Sequence, residues 1–175
     1  MKKIVLIMIL AISSQVCGQV AIGKESVNGA STILDFNNTA GNTNGIILSA
    51  VNDISGALSP TSTDNNGTFL FDKSDKKVKM YENGTWIELS NPGNSSQIIT
   101  NTSAESGKSQ GVIIGASSSN AKGILVLESQ NKAMLLPQVN TPHTSVKSPY
   151  PGMMCYDTVS KSLAVFDGSN WNYWK

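Results

Sequence analysis

Short runs of apolar and aromatic residues, separated by polar turns, dominate the chain. Three such runs, at 68–71, 78–81 and 85–89, hold four or five residues each and are rich in aromatic and branched side chains, as is typical of β-strands. The Asn83-Gly84 pair between the last two runs predicts a two-residue hairpin, because both residues tolerate a positive φ. No segment keeps an apolar period of about 3.6 residues, so little helix is expected outside the N-terminus. The pattern predicts an all-β fold.

The second of these runs also alternates in polarity. Val78 and Met80 alternate with Lys77 and Lys79, and successive side chains of a strand point to opposite faces of its sheet. The alternation predicts one buried face and one solvent-exposed face, as is common in antiparallel sheets.

The chain contains an internal duplication. Residues 67–89 match residues 152–174 at a constant offset of 85. Both copies carry the same succession of strand-like runs, so each is predicted to end in a three-stranded antiparallel meander. Four residue pairs are identical at this offset: Gly67/Gly152, Asp72/Asp157, Lys76/Lys161 and Trp86/Trp171.

Upstream of the meanders the match continues with small shifts of register. Two copies of one β-module are therefore predicted, at 19–90 and 112–175. Residues 91–111, rich in Ser, Asn, Thr and Gly, are predicted to link them. The upstream segments keep their order: Ile22-Gly23 with Ile114-Gly115, 33–36 with 124–127, 45–48 with 133–136, and Val51 with Val139.

Each predicted module is small. A unit of roughly 70 residues buries too little apolar surface to be more than marginally stable alone, and its strand edges need partners. The missing burial must come from the sister copy or from other chains. Homo-oligomerisation is therefore expected.

The N-terminus has the pattern of a secretory signal peptide. Two lysines precede nine apolar residues, 4–12, and a small, polar stretch follows. Residues 1–18 are predicted to be a signal peptide that is cut after Gly18. The alternative is lipidation of Cys17, which the branched Val16 before it disfavours. The mature protein is expected to be secreted or at the cell surface, with the periplasm and the outer membrane left open.

Removal of the signal peptide would leave Cys155 as a lone cysteine. Because it lies in the apolar run 153–156, it is expected to be a small buried hydrophobic residue. An intermolecular disulfide and a catalytic thiol are the alternatives.

Composition excludes several classes of function. The chain has 13 lysines, no arginine and 12 acidic residues, so the basic surplus and the arginine fork that suit nucleic acids are both missing. No apolar run reaches about 18 residues, so no membrane-spanning helix is expected in the mature chain. One histidine and two cysteines are too few for a usual His/Cys metal site. No metal, cofactor or nucleic-acid partner is predicted.

The motifs for catalysis are incomplete. The segment from Gly18 to Lys24 has the spacing of a phosphate-binding loop, but Glu25 replaces the Ser or Thr that would hold Mg²⁺. His143 lies in a polar loop without an evident partner for general-base chemistry, and 64–67 has only a hint of a calcium loop, so a plain turn is expected there. The chain is predicted not to be an enzyme. A hydrolase with an unrecognised carboxylate pair is the remaining enzymatic alternative.

The C-terminal residues Trp171 to Trp174 are the sharpest chemical feature. Alternation places Trp171 and Tyr173 on one face of a strand and Trp174 on the other. Trp171 repeats Trp86, so both are expected to pack in the core or against their own hairpins. Tyr173 and Trp174 are candidate ligand contacts, because an exposed aromatic ring can stack on a sugar or on a partner chain. A carbohydrate-binding module is therefore the alternative function.

Several segments resemble those of known exported proteins. Residues 19–23 (QVAIG), directly after the signal, resemble the "QVGIGT" start of secreted Bacteroidetes-type proteins. The second copy, with 124–129, 134–137, 151–157 and 166–171 in that order, is similar to the repeated β-modules of those surface proteins and of trimeric phage tail-fibre stalks. The chain departs from that pattern at Gln138, where a basic residue is usual.

The resemblance implies an exported, non-enzymatic protein and favours a homotrimer. Asp157-Thr158-Val159 resembles the acceptor for O-linked sugars in such proteins, which makes Thr158 a candidate glycosylation site. The sequence thus predicts a structural or adhesive cell-surface repeat protein that acts through protein or glycan contacts.

Overall fold

The computed structural model describes residues 18–58, 63–99, 111–121 and 123–175. The predicted signal peptide, including Cys17, lies outside these ranges except for Gly18. The regular secondary structure of the described part consists almost entirely of short strands, which confirms the all-β prediction. The strands are β1 (Val20–Ile22), β2 (Thr32–Phe36), β3 (Ile46–Ile47), β4 (Ala50–Val51), β5 (Phe69–Asp72), β6 (Lys77–Glu82), β7 (Thr85–Glu88), β8 (Val112–Ile114), β9 (Leu125–Leu127), β10 (Ala133–Met134), β11 (Gln138–Val139), β12 (Met153–Asp157), β13 (Ser162–Phe166) and β14 (Trp171–Trp174).

Both copies end in the predicted antiparallel meander. In the first, β5 pairs with β6 and β6 with β7. In the second, β12 pairs with β13 and β13 with β14. The pairing is equivalent in register, because Phe71 faces Val78 and, 85 residues later, Tyr156 faces Leu163.

The turns of the two meanders are also equivalent. Lys76 and Lys161 both adopt the left-handed conformation, with φ of 60° and 56°. The hairpin at Asn83 and Gly84 has φ of 49° and 80°, which are the two positive values that this turn type requires. The predicted hairpin is confirmed.

Each copy adds parallel strand pairs in front of its meander. Strand β1 pairs with β2, and its equivalent β8 pairs with β9. Strand β4 lies parallel to β5, and its equivalent β11 lies parallel to β12. Each of these pairs brings together segments that are distant in the chain.

One strand of each copy pairs with the other copy. Strand β3 adds to β12 in antiparallel fashion, with Ile46 opposite Met154. Strand β10 adds to β2 in parallel, with Met134 opposite Leu34. The two copies are therefore joined by continuous sheets.

Gly45 permits the close approach of β3 to β12. A Cβ atom at this position would lie 2.7 Å from the carbonyl oxygen of Met154. Any larger residue would push the two strands apart.

The main core draws on both copies. Its buried residues are covered further by half-buried side chains that include Ile46, Leu136 and Ile98. A second, smaller cluster joins Val139, Cys155 and Ala164. The buried members of the main core are Phe71, Val78, Leu89, Met154 and Val165.

The prediction of a wet face on β6 is wrong at Lys79. This residue is 6% exposed. Its ammonium group lies 2.7 Å from a carboxylate oxygen of Asp72 and 2.6 Å from one of Asp75. A buried charge must be paired, and these two acids in the preceding strand and turn supply the pairing.

The start of the predicted linker docks on the second copy. The N–H of Asn94 donates to the carbonyl oxygen of Asp167 at 2.9 Å, and the N–H of Ile99 donates to the hydroxyl of Tyr150 at 3.1 Å. A Cβ at Gly93 would lie 2.1 Å from the same Asp167 oxygen, so only glycine fits. The module boundaries and the length of the linker stay predictions.

A short helix, α1 (Pro142–Ser145), interrupts the second copy where a polar loop was expected. Pro142 stands at its first turn, where its fixed φ favours helix and its missing N–H costs nothing. His143 therefore lies on a helical turn rather than in a loop. Within the described ranges, no helix has the length and apolarity needed to cross a membrane.

Candidate functional site

Exposed aliphatic side chains surround the two-stranded β8–β9 sheet. Val112, Ile124 and Leu125 are 60%, 73% and 48% exposed. Large aliphatic side chains that gather on a surface mark contact sites for another molecule. This feature was not predicted from the sequence, where Ile124 and Leu125 served only as matching positions of the internal repeat.

The edge of β9 carries no third strand in the described part of the chain. The equivalent strand of the first copy, β2, lies in the middle of a three-stranded sheet between β1 and β10. An unpaired strand edge exposes a row of N–H and C=O groups that can pair with another chain. The β9 edge is thus a site at which a strand can be added.

A second such edge lies at the start of β5. In the second copy, the outer edge of β12 is covered by β3 at Met153 and Met154 and by β11 further along. Along β5 only the later part is covered, by β4 opposite Phe71 and Asp72. Among the described residues, no strand pairs with the outer edge at Thr68 and Phe69.

An open groove of about 720 Å³ lies between segments of the two copies. It is lined by the 48–57 segment of the first copy, by Ile98 and Ile99, and by Ile124 and Tyr150. Ile99 is 89% exposed and Ile124 is 73% exposed. The groove therefore adds more exposed aliphatic surface to that of the β8–β9 sheet.

The two repeated tryptophans are half-buried, and each packs against the aromatic ring opposite it on the neighbouring strand, in agreement with the predicted hairpin packing. The Trp86 ring lies 5.2 Å from that of Tyr81. The Trp171 ring lies 5.4 Å from that of Phe166 and covers the second core cluster.

Tyr173 and Trp174, the predicted ligand contacts, are 39% and 43% exposed. The Tyr173 hydroxyl lies 2.8 Å from Nδ1 of His143, and the Trp174 Nε1–H donates to the carbonyl oxygen of Leu89 at 2.6 Å. Burial of part of the ring raises the pKa of Tyr173. The two rings point to opposite faces of β14, so they do not form one platform. Their role in binding stays a prediction.

Thr158, the predicted glycosylation site, is half-buried in the turn after β12. Its N–H donates to the carbonyl oxygen of Val139 at 3.0 Å. The neighbouring Val159 is 58% exposed. Modification of Thr158 stays a prediction.

Four buried aspartates are each held by their own donors. Burial raises the pKa of Asp72, but hydrogen bonds from Lys79 and Ser74 outweigh it, and the net pKa is lowered. Burial likewise raises the pKa of Asp157, and hydrogen bonds from Ser160, Val159 and Thr141 lower it by more. The lowered pKa values keep the carboxylates of Asp72 and Asp157 charged, which suits a structural role better than proton transfer. All four lie at turns or strand ends: Asp35, Asp72, Asp157 and Asp167.

Cys155 is fully buried, as predicted. Burial, together with the nearby charge of Asp157, raises the pKa of its thiol to about 12. The thiolate is the nucleophilic form, so this thiol is inert at neutral pH. In the described ranges, no three or more His, Cys, Asp or Glu residues are grouped so that they could hold a metal ion.

Comparison with known proteins bears on the second copy. Residues 113–175, just over a third of the chain, match the family model described as a phage tail like trimerisation region. Neither the curated proteins nor the solved structures contain a match to the chain. The matched segment includes the β9 edge, the exposed residues Ile124 and Leu125 and the whole second meander. The match implies a structural β-protein that assembles as a homotrimer through this region.

Proposed function

We propose that the protein is an exported, non-enzymatic structural or adhesive component of the cell surface that works as a homotrimer. The observation that carries the proposal is the trimerisation match over residues 113–175. The unpaired edge of β9 and its exposed aliphatic side chains support it, because they offer a surface that a second chain would cover.

Export is supported by the N-terminal pattern of lysines, nine apolar residues and a small, polar stretch. Adhesion is supported by the architecture. A trimer presents three copies of every exposed sheet face, and several weak contacts held together bind far more tightly than one. The inert thiol and the charged, individually satisfied aspartates favour contact over catalysis.

The test is surface labelling combined with cross-linking. The full-length chain is expressed in a Bacteroidetes-type host, and intact cells are treated with a membrane-impermeant biotin reagent and an amine cross-linker. Both reagents react with lysine side chains such as Lys132 and Lys147. The proposal predicts a biotinylated protein that migrates as three chains after cross-linking.

Two results would contradict it. Biotinylation only after lysis of the cells would exclude the surface, and a labelled protein that cross-links to no other copy would exclude the trimer. A cytoplasmic protein of the same cells serves as the control for leakage.

A carbohydrate-binding role is the second candidate, favoured by the partial exposure of Tyr173 and Trp174. On a glycan array, Trp174→Ala should abolish binding, whereas Trp174→Phe should keep part of it because a ring remains to stack. Circular dichroism controls for folding, since the indole also bonds to Leu89. If the unchanged protein binds no glycan, this candidate is wrong.

A further inference from the structure

Each copy of the module lacks one strand that its sister copy has. Strand β2 is flanked by β1 and β10, whereas β9, its equivalent, is flanked by β8 alone among the described residues. The start of β12 is covered by β3, whereas the equivalent start of β5 is covered by no strand of the described chain. The gaps are therefore complementary.

The duplication says which strand is missing at each gap. Segment 45–48 is the first-copy equivalent of 133–136, so β3 and β10 are the same element in the two copies. The strand missing from β9 is a copy of this element, and so is the strand missing from β5.

Strands β3 and β10 each pair along one edge, and no other described strand covers the second edge. Ile46 pairs with Met154 of β12, and backbone groups alternate between the two edges of a strand. The N–H and C=O of Ile47 therefore face away from β12. On β10, the N–H of Ala133 donates to Ser31, just before β2, and the N–H of Leu135 donates to Leu34 of β2. The backbone groups of Met134 therefore face away from β2.

We infer that neighbouring protomers are joined through these four edges. Strand β3 of one protomer pairs in parallel with β9 of the next, and β10 of that next protomer pairs in antiparallel fashion with β5 of the first. The second copy of one protomer thus contacts the first copy of its neighbour. This contact repeats the one that joins the two copies within a single chain. The inference rests on the proposed homotrimer and names its interface.

The parallel half of the interface takes its register from β10 and β2, whose pairing shifts in register between Ala133 and Met134. Within one chain, Met134 lies opposite Leu34, and the N–H of Leu135 donates to the carbonyl oxygen of Leu34 at 2.9 Å. The equivalent contact between chains places Ile46 opposite Leu125 of the neighbour. The N–H of Ile47 then donates to the Leu125 carbonyl oxygen.

The antiparallel half follows in the same way. Within one chain, Ile46 lies opposite Met154 and Ile47 opposite Met153. The equivalent contact between chains places Met134 opposite Phe69 and Leu135 opposite Thr68. Ala133 stands where the first copy has Gly45, whose Cβ would lie 2.7 Å from a carbonyl oxygen. The methyl group of Ala133 therefore sets β10 and β5 slightly further apart than β3 and β12 within one chain.

Burial supports the pairing. Ile47 and Leu125 are each 48% exposed, and Ile124 beside them is 73% exposed. In the proposed register Leu125 shares a face with Ile46 of the neighbour, and Ile47 lies on the other face, so the contact covers exposed aliphatic side chains on both faces of the joined strands. Because the two surfaces that meet are different, the interface is heterologous, and such interfaces close into rings when the rotation between protomers allows it.

Disulfide cross-linking tests the inference. Thr68→Cys and Leu135→Cys are placed in a full-length chain whose two native cysteines are replaced by alanine. A pair equivalent to Ile47 and Met153 is of the non-hydrogen-bonded type, whose Cα atoms lie about 4.5 Å apart, within disulfide range. After oxidation, the double variant should migrate as a covalent trimer. A co-folded mixture of the two single variants should give covalent dimers, and each single variant alone should give none.

Other patterns would overturn the inference. One is a disulfide that forms only within a single chain. The other is efficient cross-linking of Ile47→Cys with Thr68→Cys, which would show that the first copy of one protomer pairs with the first copy of the next. If the first pair prevents folding, Ile46→Cys with Leu125→Cys tests the parallel half with the same expected pattern.

Light scattering of the reduced double variant and of the unsubstituted chain separates the two claims. If the reduced double variant has the mass of three chains but forms no disulfide between chains on oxidation, the strand pairing is wrong and the proposed function stands. An unsubstituted chain that is monomeric would overturn both.

Discussion

At the scale of single residues, the two copies hold the same buried aspartate in two different ways. The N–H two residues later donates to Asp72 and to Asp157 at 2.9 Å in each case. In the first copy the charge is also paired with Lys79. In the second copy Ala164 stands at the position equivalent to Lys79, and the hydroxyl of Ser160 donates a hydrogen bond to Asp157 instead.

The first prediction concerns this buried ion pair. Lys79→Met should lower the free energy of unfolding by about 3 kcal/mol, because it leaves the buried carboxylate of Asp72 without its cation. Chemical denaturation measures the change. Lys77→Met is the matched control, since its ammonium pairs with the exposed carboxylate of Glu88, and it should change stability little. Equal effects of the two substitutions would contradict the account.

The second prediction concerns acid stability. The pKa of Asp157 is lower in the fold than in the unfolded chain, so its contribution is complete above the unfolded value of about 4 and is lost as the pH falls through the lowered folded value. Asp35 and Asp72 shift in the same direction.

Asp157→Asn should therefore reduce stability at neutral pH and flatten the loss of stability below about pH 4. Thermal unfolding from pH 7 to pH 2 measures it. The exposed Glu25→Gln is the control. An unchanged acid profile in Asp157→Asn would show that this carboxylate contributes nothing.

The sequence predicted some individual residues well and others poorly. Cys155 was predicted to be buried because its neighbours are apolar. Lys79 was predicted to be solvated because alternation alone assigns a lysine to the wet face. Its burial depends on Asp75, which reaches it from a turn, and a period-two pattern contains no information on such a partner.

At the scale of elements, local signals predicted the meanders and nothing beyond them. The Asn83-Gly84 turn and the repeat at an offset of 85 residues fix antiparallel neighbours that follow one another in the chain. The parallel pairs β1–β2 and β8–β9 are each paired over only three residues, and the cross-copy strands β3 and β10 contain two residues each. Segments this short carry too little periodicity to reveal a distant partner.

The third prediction concerns the cross-copy strand β3. Gly45→Ala should lower the free energy of unfolding by roughly 1–3 kcal/mol, because its Cβ would crowd the Met154 carbonyl oxygen. Hydrogen exchange should also quicken at the N–H of Leu48, which donates to Gly152 at 3.0 Å. Gly41→Ala is the control, since nothing lies within 4 Å of a Cβ there. Slow exchange at Leu48 in Gly45→Ala would mean that β3 tolerates the extra methyl group.

At the scale of the whole molecule, a single chain leaves strand edges uncovered that further chains of the assembly would cover. Its core is divided between two thin modules. Within the described residues, β2 and the start of β12 are covered by neighbouring strands at edges where their equivalents, β9 and the start of β5, have none. Oligomerisation was predicted from the small size of the core, whereas a trimer in particular was predicted only from the resemblance to known proteins. Which edges remain open could not be predicted, because that depends on which strands the sister copy has already covered.

The most direct measurement is the mass of the purified protein in solution by light scattering. One chain has a mass of 18.5 kDa before any processing. A mass of close to three chains, constant on dilution, is the result that the account predicts. A stable particle with the mass of a single chain would contradict it.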